Sequence, residues 1–190
     1  MGEKMQGFQG WSIGIRFLTS CVSIASLILL LKSKQTVQVS VGLDYVTQQV
    51  KYSDTSAFVY LVFSDILVAV YCIVVLVGLI PAALGKSHPG KAGQWAIFIF
   101  DQVLAYVLLA AASSATEVAY LADKGMAKTS WEAVCPRFAH FCHTVMASIS
   151  LSFVAVLLLA LLAVVSASGL FGRFYRRPLF AVKMRHNTLI

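Results

Sequence analysis

The chain has 190 residues, of which 59% are hydrophobic and only 12% are charged, about half the charged share of an ordinary soluble protein. A soluble core of this size could not hide that much apolar surface, so the composition excludes a water-soluble domain and predicts a surface that faces lipid. Fifteen Lys and Arg exceed eight Asp and Glu. These basic residues lie in short segments between long apolar runs rather than in one continuous patch, which disfavours binding to nucleic acid.

Four apolar stretches follow one another along the chain, and each contains at most one charged residue. Each reaches the roughly 20 residues that a helix needs to cross about 30 Å of hydrocarbon at about 1.5 Å per residue. In lipid such a stretch must be helical, because every backbone N–H and C=O has to be paired within the segment. The stretches, with their charges, are Trp11–Leu31 (Arg16), Ala57–Ile80 (Asp65), Trp95–Thr116 (Asp101) and Thr144–Gly169 (none).

These stretches predict an all-α membrane protein, a four-transmembrane-helix bundle with both termini in the cytoplasm. The first span is expected to be retained, because the Lys32-Ser33-Lys34 that follows it offers no small-x-small signal-peptide cleavage site. The fourth span is expected to be a plain lipid-compatible helix. The predicted order is N-terminus 1–10, first span 11–31, outer loop 32–56, second span 57–80, cytoplasmic loop 81–94, third span 95–116, outer loop 117–143, fourth span 144–169 and basic cytoplasmic tail 170–190.

The predicted orientation rests on Lys and Arg, which are enriched on the cytoplasmic side of membrane proteins. With the N-terminus inside, the inner segments hold eight of these residues and the outer loops hold six. Within the first outer loop, Thr36–Val41 alternates polar and β-branched residues and could form a short strand. The C-terminal tail decides the orientation, since five of the eight inner basic residues lie there: Arg173, Arg176, Arg177, Lys183 and Arg185.

The charged residues inside the first and third spans are candidates for an ion pair. An isolated Asp or Arg at the centre of a membrane helix costs roughly 2.5–3.5 kcal/mol, so such a residue needs a partner. Counted from the inner ends of their spans, Arg16 lies roughly 7–8 Å deep and Asp101 roughly 9 Å deep. The near-equal depths favour an intramembrane pair between Arg16 and Asp101. The alternative is that Arg16 extends its guanidinium to the inner head groups.

The surroundings of the two charges fit this pairing. Ser20 and Ser23 continue a polar stripe from Arg16 at helical spacing. On the third span, Asp101 shares a face with small residues that would let another helix approach closely, namely Ala105, Ala112 and Thr116.

Asp65 in the second span has no evident partner. It enters from the outer side, lies roughly 12 Å deep and so sits on the order of 10 Å from Arg16 along the membrane normal. It shares a helical face with Ala69 and Cys72. Asp65 is therefore either uncharged, or directed at a neighbouring protomer or a water-filled pocket.

Two cysteines, Cys135 and Cys142, lie in the second outer loop, where an oxidising exterior permits a disulfide. On one continuous helix they would be roughly 10 Å apart along the axis, which is too far to bridge. Pro136 suits the first position of a helix, and Cys135 would then lie outside it, where the chain can fold back. A Cys135–Cys142 disulfide is favoured over two free thiols, and both remain open. A zinc site with His140 and His143 would match no common ligand spacing.

No catalytic motif is found in the sequence, which contains no CxxC, HExxH, glycine-rich phosphate loop or GxSxG. No cofactor or metal is therefore expected. The basic cluster Arg173, Arg176 and Arg177 would bind anionic lipid of the inner leaflet, at roughly 1 kcal/mol per residue. An ordinary basic flank that stops transfer through the membrane explains the cluster equally well.

Several of these features together resemble the Casparian strip membrane domain protein-like family of plants. The resemblance covers residues 12–172 and rests on an ordered set of motifs rather than on one. The motifs are Arg16, the run Phe100-Asp101-Gln102-Val103-Leu104-Ala105-Tyr106, Ala110-Ala111-Ala112, Thr116-Glu117, Trp131, Cys135 and Phe141-Cys142.

The resemblance implies a plant plasma-membrane tetraspan protein, related to the MARVEL proteins of animals. The characteristic intramembrane Arg and Asp of that family correspond to Arg16 and Asp101. Family members form homo-oligomers and hetero-oligomers with related tetraspan proteins, and the best-known ones scaffold a membrane domain that recruits lignin-polymerising enzymes to the cell wall. The short motif of those wall scaffolds is not evident in the outer loop Lys32–Ser56.

The expected function is therefore that of a non-enzymatic, oligomeric scaffold of the plasma membrane. Its expected partners are copies of itself, related tetraspan proteins and membrane lipid, with no nucleic acid and no small-molecule substrate. The alternative is a small transporter or channel subunit that uses Asp65 and Asp101.

Overall fold

A computed structural model describes residues 2–41, 44–83, 90–125, 133 and 135–187. Four long helices dominate it: α1 (Gly2–Lys32), α2 (Ser56–Ala83), α3 (Lys91–Lys124) and α4 (Ala139–Asn187). Within the described residues, the segments long and apolar enough to cross a membrane are Gly10–Lys32, Ser56–Leu79, Ala92–Lys124 and Ala139–Ser168. The predicted four-helix membrane bundle is confirmed.

The helices stand at the corners of a square. α1 packs against α2 and α4, and α3 packs against the same two helices. α1 and α3 therefore face each other across one diagonal of the bundle, and α2 and α4 face each other across the second diagonal. Only long side chains, or small residues that draw the backbones together, can join helices across a diagonal.

The loop between α1 and α2, which is predicted to be outer, contains a two-stranded antiparallel hairpin. Strand β1 (Lys34–Val41) pairs with β2 (Asp44–Lys51), with Lys34 opposite Lys51 and Val39 opposite Val46. The alternation in Thr36–Val41 indicated the first strand only. The second was missed because its adjacent Gln48 and Gln49 interrupt the alternating pattern.

The core is built largely from small residues of α3 and larger apolar residues of the other helices. Ala105, Ala112, Ala115 and Ala119 are buried, whereas Thr116 is exposed and donates its hydroxyl to the Ala112 carbonyl at 2.7 Å. The prediction that Thr116 belongs to the buried face of α3 was therefore wrong. A helix has 3.6 residues per turn, so buried residues follow one another at intervals of three or four, and the residue buried after Ala112 is Ala115.

Candidate functional site: two polar layers inside the bundle

Arg16 and Asp101 form a buried ion pair across the α1–α3 diagonal. Nη1 of Arg16 donates to Oδ1 of Asp101 at 2.9 Å, and Nη2 donates to Oδ2 at 2.7 Å. The two side chains are 1% and 0% exposed. The structure therefore brings together the two charges that depth had matched, and it does so in the fork geometry that pairs a guanidinium with a carboxylate most strongly. In this arrangement Arg16 does not extend to the head groups.

The other two helices complete the coordination of Asp101. The Tyr71 hydroxyl of α2 lies 2.7 Å from Oδ1, and the Ser166 hydroxyl of α4 donates to Oδ2 at 3.3 Å. The Tyr71 ring also lies 5.8 Å from the Arg16 guanidinium carbon, within the range of a cation–π interaction. The Tyr71 hydroxyl also lies 3.0 Å from the Ile97 carbonyl, so its one hydrogen is shared between that carbonyl and the nearer Oδ1. Each carboxylate oxygen is thus bonded to the guanidinium and lies next to one hydroxyl. We call Arg16, Tyr71, Asp101 and Ser166 the Arg16 layer.

Sequence reasoning missed Tyr71 and Ser166, although both residue types are unusual neighbours for lipid. Depth does not select them, because Tyr71 lies nine residues and Ser166 three residues from the predicted inner ends of their spans, compared with five for Arg16. Hydropathy could not reveal which way a hydroxyl points, since a tyrosine or serine is tolerated on either face of a membrane helix.

A second polar layer surrounds Asp65 on the α2–α4 diagonal. Oδ2 of Asp65 accepts from Ser26 of α1 at 2.8 Å and from Ser152 of α4 at 3.1 Å. Ser148, one turn before Ser152, lies 2.9 Å from the Ser26 hydroxyl and donates to the Ser26 carbonyl at 3.0 Å. We call Ser26, Asp65, Ser148 and Ser152 the Asp65 layer. Ten residues of α1 separate it from the Arg16 layer, about 15 Å along the helix.

The Asp65 layer resolves one question from the sequence and corrects another expectation. Asp65 is fully buried and points into the interior of its own bundle. The uncharged fourth span is not a plain lipid-compatible helix, because α4 supplies Ser148, Ser152 and Ser166 to the two layers. Two of these serines are spaced i, i+4, so they share one face of the helix.

A disulfide joins Cys135, in the loop before α4 that is predicted to be outer, to Cys142 near the start of α4, and the two Cα atoms are 5.7 Å apart. Cys135 lies in a turn before α4, and its N–H donates to the Ala122 carbonyl of α3 at 3.1 Å. α3 itself ends at Gly125, whose φ of 69° is a left-handed conformation that favours glycine. The disulfide occupies both sulfurs, so neither can bind the zinc considered from the sequence.

The basic cluster Arg173, Arg176 and Arg177 lies on the C-terminal part of α4. Its side chains fall outside the described residues, so binding of anionic lipid by this cluster stays a prediction.

The chemistry available to the two layers is that of recognition and packing. In the Arg16 layer each charge is matched by an opposite charge, and the two charged members are buried by the surrounding helices, whereas Tyr71 and Ser166 are partly exposed. Hydrogen bonds from three helices converge on a carboxylate of the fourth, so the layer orients the helices relative to one another. The Asp65 layer differs in one respect, because its carboxylate has no cationic partner among the described residues.

Comparison with known proteins gives a consistent set of similarities. The Casparian strip membrane protein domain matches residues 5–158. A CASP-like protein 2U1 from Adiantum capillus-veneris is 58% identical over 100% of both chains. A CASP-like protein 2U2 from Osmunda lancea is 48% identical over 93% of this chain and 86% of its own, and a CASP-like protein 2U5 from Selaginella moellendorffii is 36% identical over the same two shares. No solved structure matches the chain.

Proposed function

The chain belongs to the Casparian strip membrane protein family, and from that premise we propose that it is a non-enzymatic scaffold of the plasma membrane. It assembles laterally with copies of itself and with related tetraspan proteins, and it organises a membrane patch linked to local modification of the cell wall. Its N- and C-termini both lie in the cytoplasm.

One observation carries this proposal: the ionisable chemistry of the bundle is turned inward while its outer surface is apolar. Arg16 and Asp101 neutralise each other inside the bundle. Each helix in turn presents large apolar or aromatic side chains outward, for example Phe17, Val74, Tyr106 and Leu157, each more than 60% exposed. Such a surface suits contact with lipid and with other membrane helices.

A transporter or channel that uses both intramembrane acids fits this geometry less well. Asp101 accepts two hydrogen bonds from Arg16 and further ones from Tyr71 and Ser166. A passing ion would have to displace the guanidinium, which would leave a buried charge unpaired at a cost of about 3–5 kcal/mol. The contacts of Asp101 therefore agree better with a scaffold than with a transporter or channel.

Lateral assembly and restricted diffusion test the proposal. Two differently tagged copies, co-expressed in plant cells and solubilised in mild detergent, are expected to co-purify. An unrelated four-span protein of similar size serves as the control and is expected to stay in the flow-through. A fluorescent fusion is expected to recover slowly after photobleaching, because an assembled patch exchanges slowly. Free diffusion as a monomer would overturn the proposal.

A test of the alternative uses reconstituted vesicles. If the chain were a transporter, vesicles containing it would carry a proton or cation flux that Asp65→Ala abolishes. The scaffold predicts equal background flux from wild-type, variant and protein-free vesicles.

A further inference from the structure

The Asp65 layer places one acidic side chain in the core of the bundle without an opposite charge. The side chain of Asp65 is 0% exposed. Among the described residues it forms no ion pair, and its contacts are to the serine hydroxyls of the layer. An ionised carboxylate alone in a low-dielectric interior is strongly unfavourable, so the geometry leaves one unit of negative charge to be balanced.

The serine hydroxyl groups of the layer lie close to several oxygens at once. Seven oxygen–oxygen pairs among these four residues lie 2.8–3.2 Å apart. Three serines supply three hydrogens, and each hydrogen bridges one pair. The Ser26 hydroxyl alone lies within 3.1 Å of Oδ2 of Asp65 and of the Ser148 carbonyl. The Ser148 carbonyl lies inside α4 and already accepts a backbone N–H of its own helix. The Ser26 hydrogen is therefore available to Oδ2 of Asp65, whereas Oδ1 of the same carboxylate has no donor among the described residues.

Two further buried oxygens of this region have no hydrogen-bond partner among the described residues. They are Oδ1 of Asp65 and Oγ of Ser23, which lies one turn before Ser26 on the buried stripe of α1. Buried polar atoms are almost always paired. A carboxylate oxygen can accept hydrogen bonds or bind a cation, but cannot donate. The Ser23 hydroxyl carries a hydrogen of its own, whereas Oδ1 of Asp65 can be satisfied only by a donor or a cation.

We propose that the Asp65 layer is a binding site for one small monovalent cation, either a proton or Na⁺. Carboxylate and hydroxyl oxygens are hard ligands of the kind that oxygen-seeking cations prefer. A single carboxylate is neutralised by a single positive charge, whereas a divalent ion would leave a net charge of +1 in the core. The bound cation joins α1, α2 and α4 through the Asp65 carboxylate and the serine oxygens that surround it.

The two cations differ in how they use the site. A proton resides on the Asp65 carboxyl, which then donates to a serine hydroxyl and leaves an uncharged carbonyl oxygen. Na⁺ binds the ionised carboxylate together with the serine oxygens, and it competes with the proton for the same side chain.

Infrared spectroscopy of the purified protein distinguishes them. If a proton occupies the site, the wild-type spectrum contains a carboxylic acid C=O band that is absent from Asp65→Asn. If Na⁺ occupies it, that band is missing in NaCl and appears when NaCl is replaced by choline chloride at constant ionic strength. An Asp65 that is ionised in choline chloride, with no response to Na⁺, would overturn the proposal.

Thermal unfolding in the same two salts gives an independent readout. For occupancy by Na⁺, an NaCl concentration ten times the dissociation constant raises the apparent Tm by on the order of 3–6 °C over choline chloride. The rise is lost in Asp65→Asn and reduced in Ser152→Ala. Ser150→Ala is the matched control, since the Ser150 side chain is exposed on α4 and bonds only its own helix, and it retains the full rise.

The two measurements test the proposal even if the Asp65→Asn variant does not fold. If Asp65→Asn cannot be purified, the C=O band and the Na⁺ titration of the wild-type protein still decide the matter, with Ser152→Ala and Ser150→Ala as the comparison. A Tm of wild-type protein that is independent of Na⁺, together with no carboxylic acid C=O band in either salt, would contradict both forms of the site.

Discussion

At the scale of single residues, the Arg16 layer explains why an arginine occupies that position. The guanidinium reaches across the diagonal to α3, which makes few contacts with α1, and it donates one hydrogen bond to each carboxylate oxygen of Asp101. A lysine carries the same charge, but its single ammonium group cannot form the two parallel bonds. The layer thus depends on the shape of the side chain as much as on its charge.

The Tyr71 hydroxyl offers the sharpest test of this layer. Tyr71→Phe removes one donor to Asp101 and keeps the ring that lies over Arg16, so we expect a loss of about 1–3 kcal/mol in unfolding free energy. Equilibrium unfolding in mixed micelles measures it. Tyr106→Phe is the control, because the Tyr106 side chain is 62% exposed on α3, and it should change stability by under about 0.5 kcal/mol. Equal effects of the two substitutions would show that Tyr71 does not stabilise the pair.

At the scale of whole elements, the four helices contribute unequally to the two polar layers. α1 carries a buried polar stripe that contributes to both layers, from Arg16 through Ser20 and Ser23 to Ser26. α3 contributes Asp101 and otherwise packs through small residues. Because membrane helices gain no hydrophobic driving force from meeting each other, close packing and interhelical hydrogen bonds must supply their association.

A substitution on the small face of α3 tests this division. Ala112→Leu inserts a branched side chain at a fully buried position and should cost about 1–3 kcal/mol through overpacking. Ala110→Leu, two residues away on the exposed face, adds the same atoms toward lipid and should be close to neutral. The yield and apparent Tm of the two purified variants provide the measurement. An Ala112→Leu protein as stable as Ala110→Leu would mean that α3 is not closely packed there.

At the scale of the whole molecule, two polar layers cross the bundle on its two diagonals. The Arg16 layer spans α1 and α3, and the Asp65 layer spans α2 and α4 through Ser26 of α1. Each helix pair that lacks broad side-by-side packing is therefore joined by hydrogen bonds. A bundle braced in both directions presents a fixed outer surface to neighbouring membrane proteins, which is the property that a scaffold requires.

The orientation of this bundle in the membrane can be tested with two matched substitutions. Ala127→Asn creates an Asn-Lys-Thr glycosylation sequon in the predicted outer loop, and Gly85→Asn creates Asn-Lys-Ser in the predicted cytoplasmic loop. We expect a glycosidase-sensitive mass increase for Ala127→Asn alone, because acceptor sites are modified only on the lumenal side. Modification of Gly85→Asn instead would reverse the proposed orientation.

The sequence by itself determined the four membrane spans and the most plausible partner of Arg16. Backbone pairing in lipid compels a helix wherever about 20 apolar residues run together, and the depth of a charge follows from counting residues at about 1.5 Å each. Counting residues therefore gave Arg16 and Asp101 nearly the same depth in the membrane without any information on contacts. The sequence could not place Tyr71, Ser166, Ser148 or Ser152 in the two layers.

Only the tertiary structure decided how each helix is rotated about its own axis and which helices lie across a diagonal. The polar stripe of α1 and most of the small-residue face of α3 did indicate the core side, but hydropathy along α2 and α4 does not distinguish the face toward lipid from the face toward the core. The rotation is set by packing and hydrogen bonding among all four helices together. That is why Asp65 lacked an evident partner in the sequence, yet lies in the structure among three serines of two other helices.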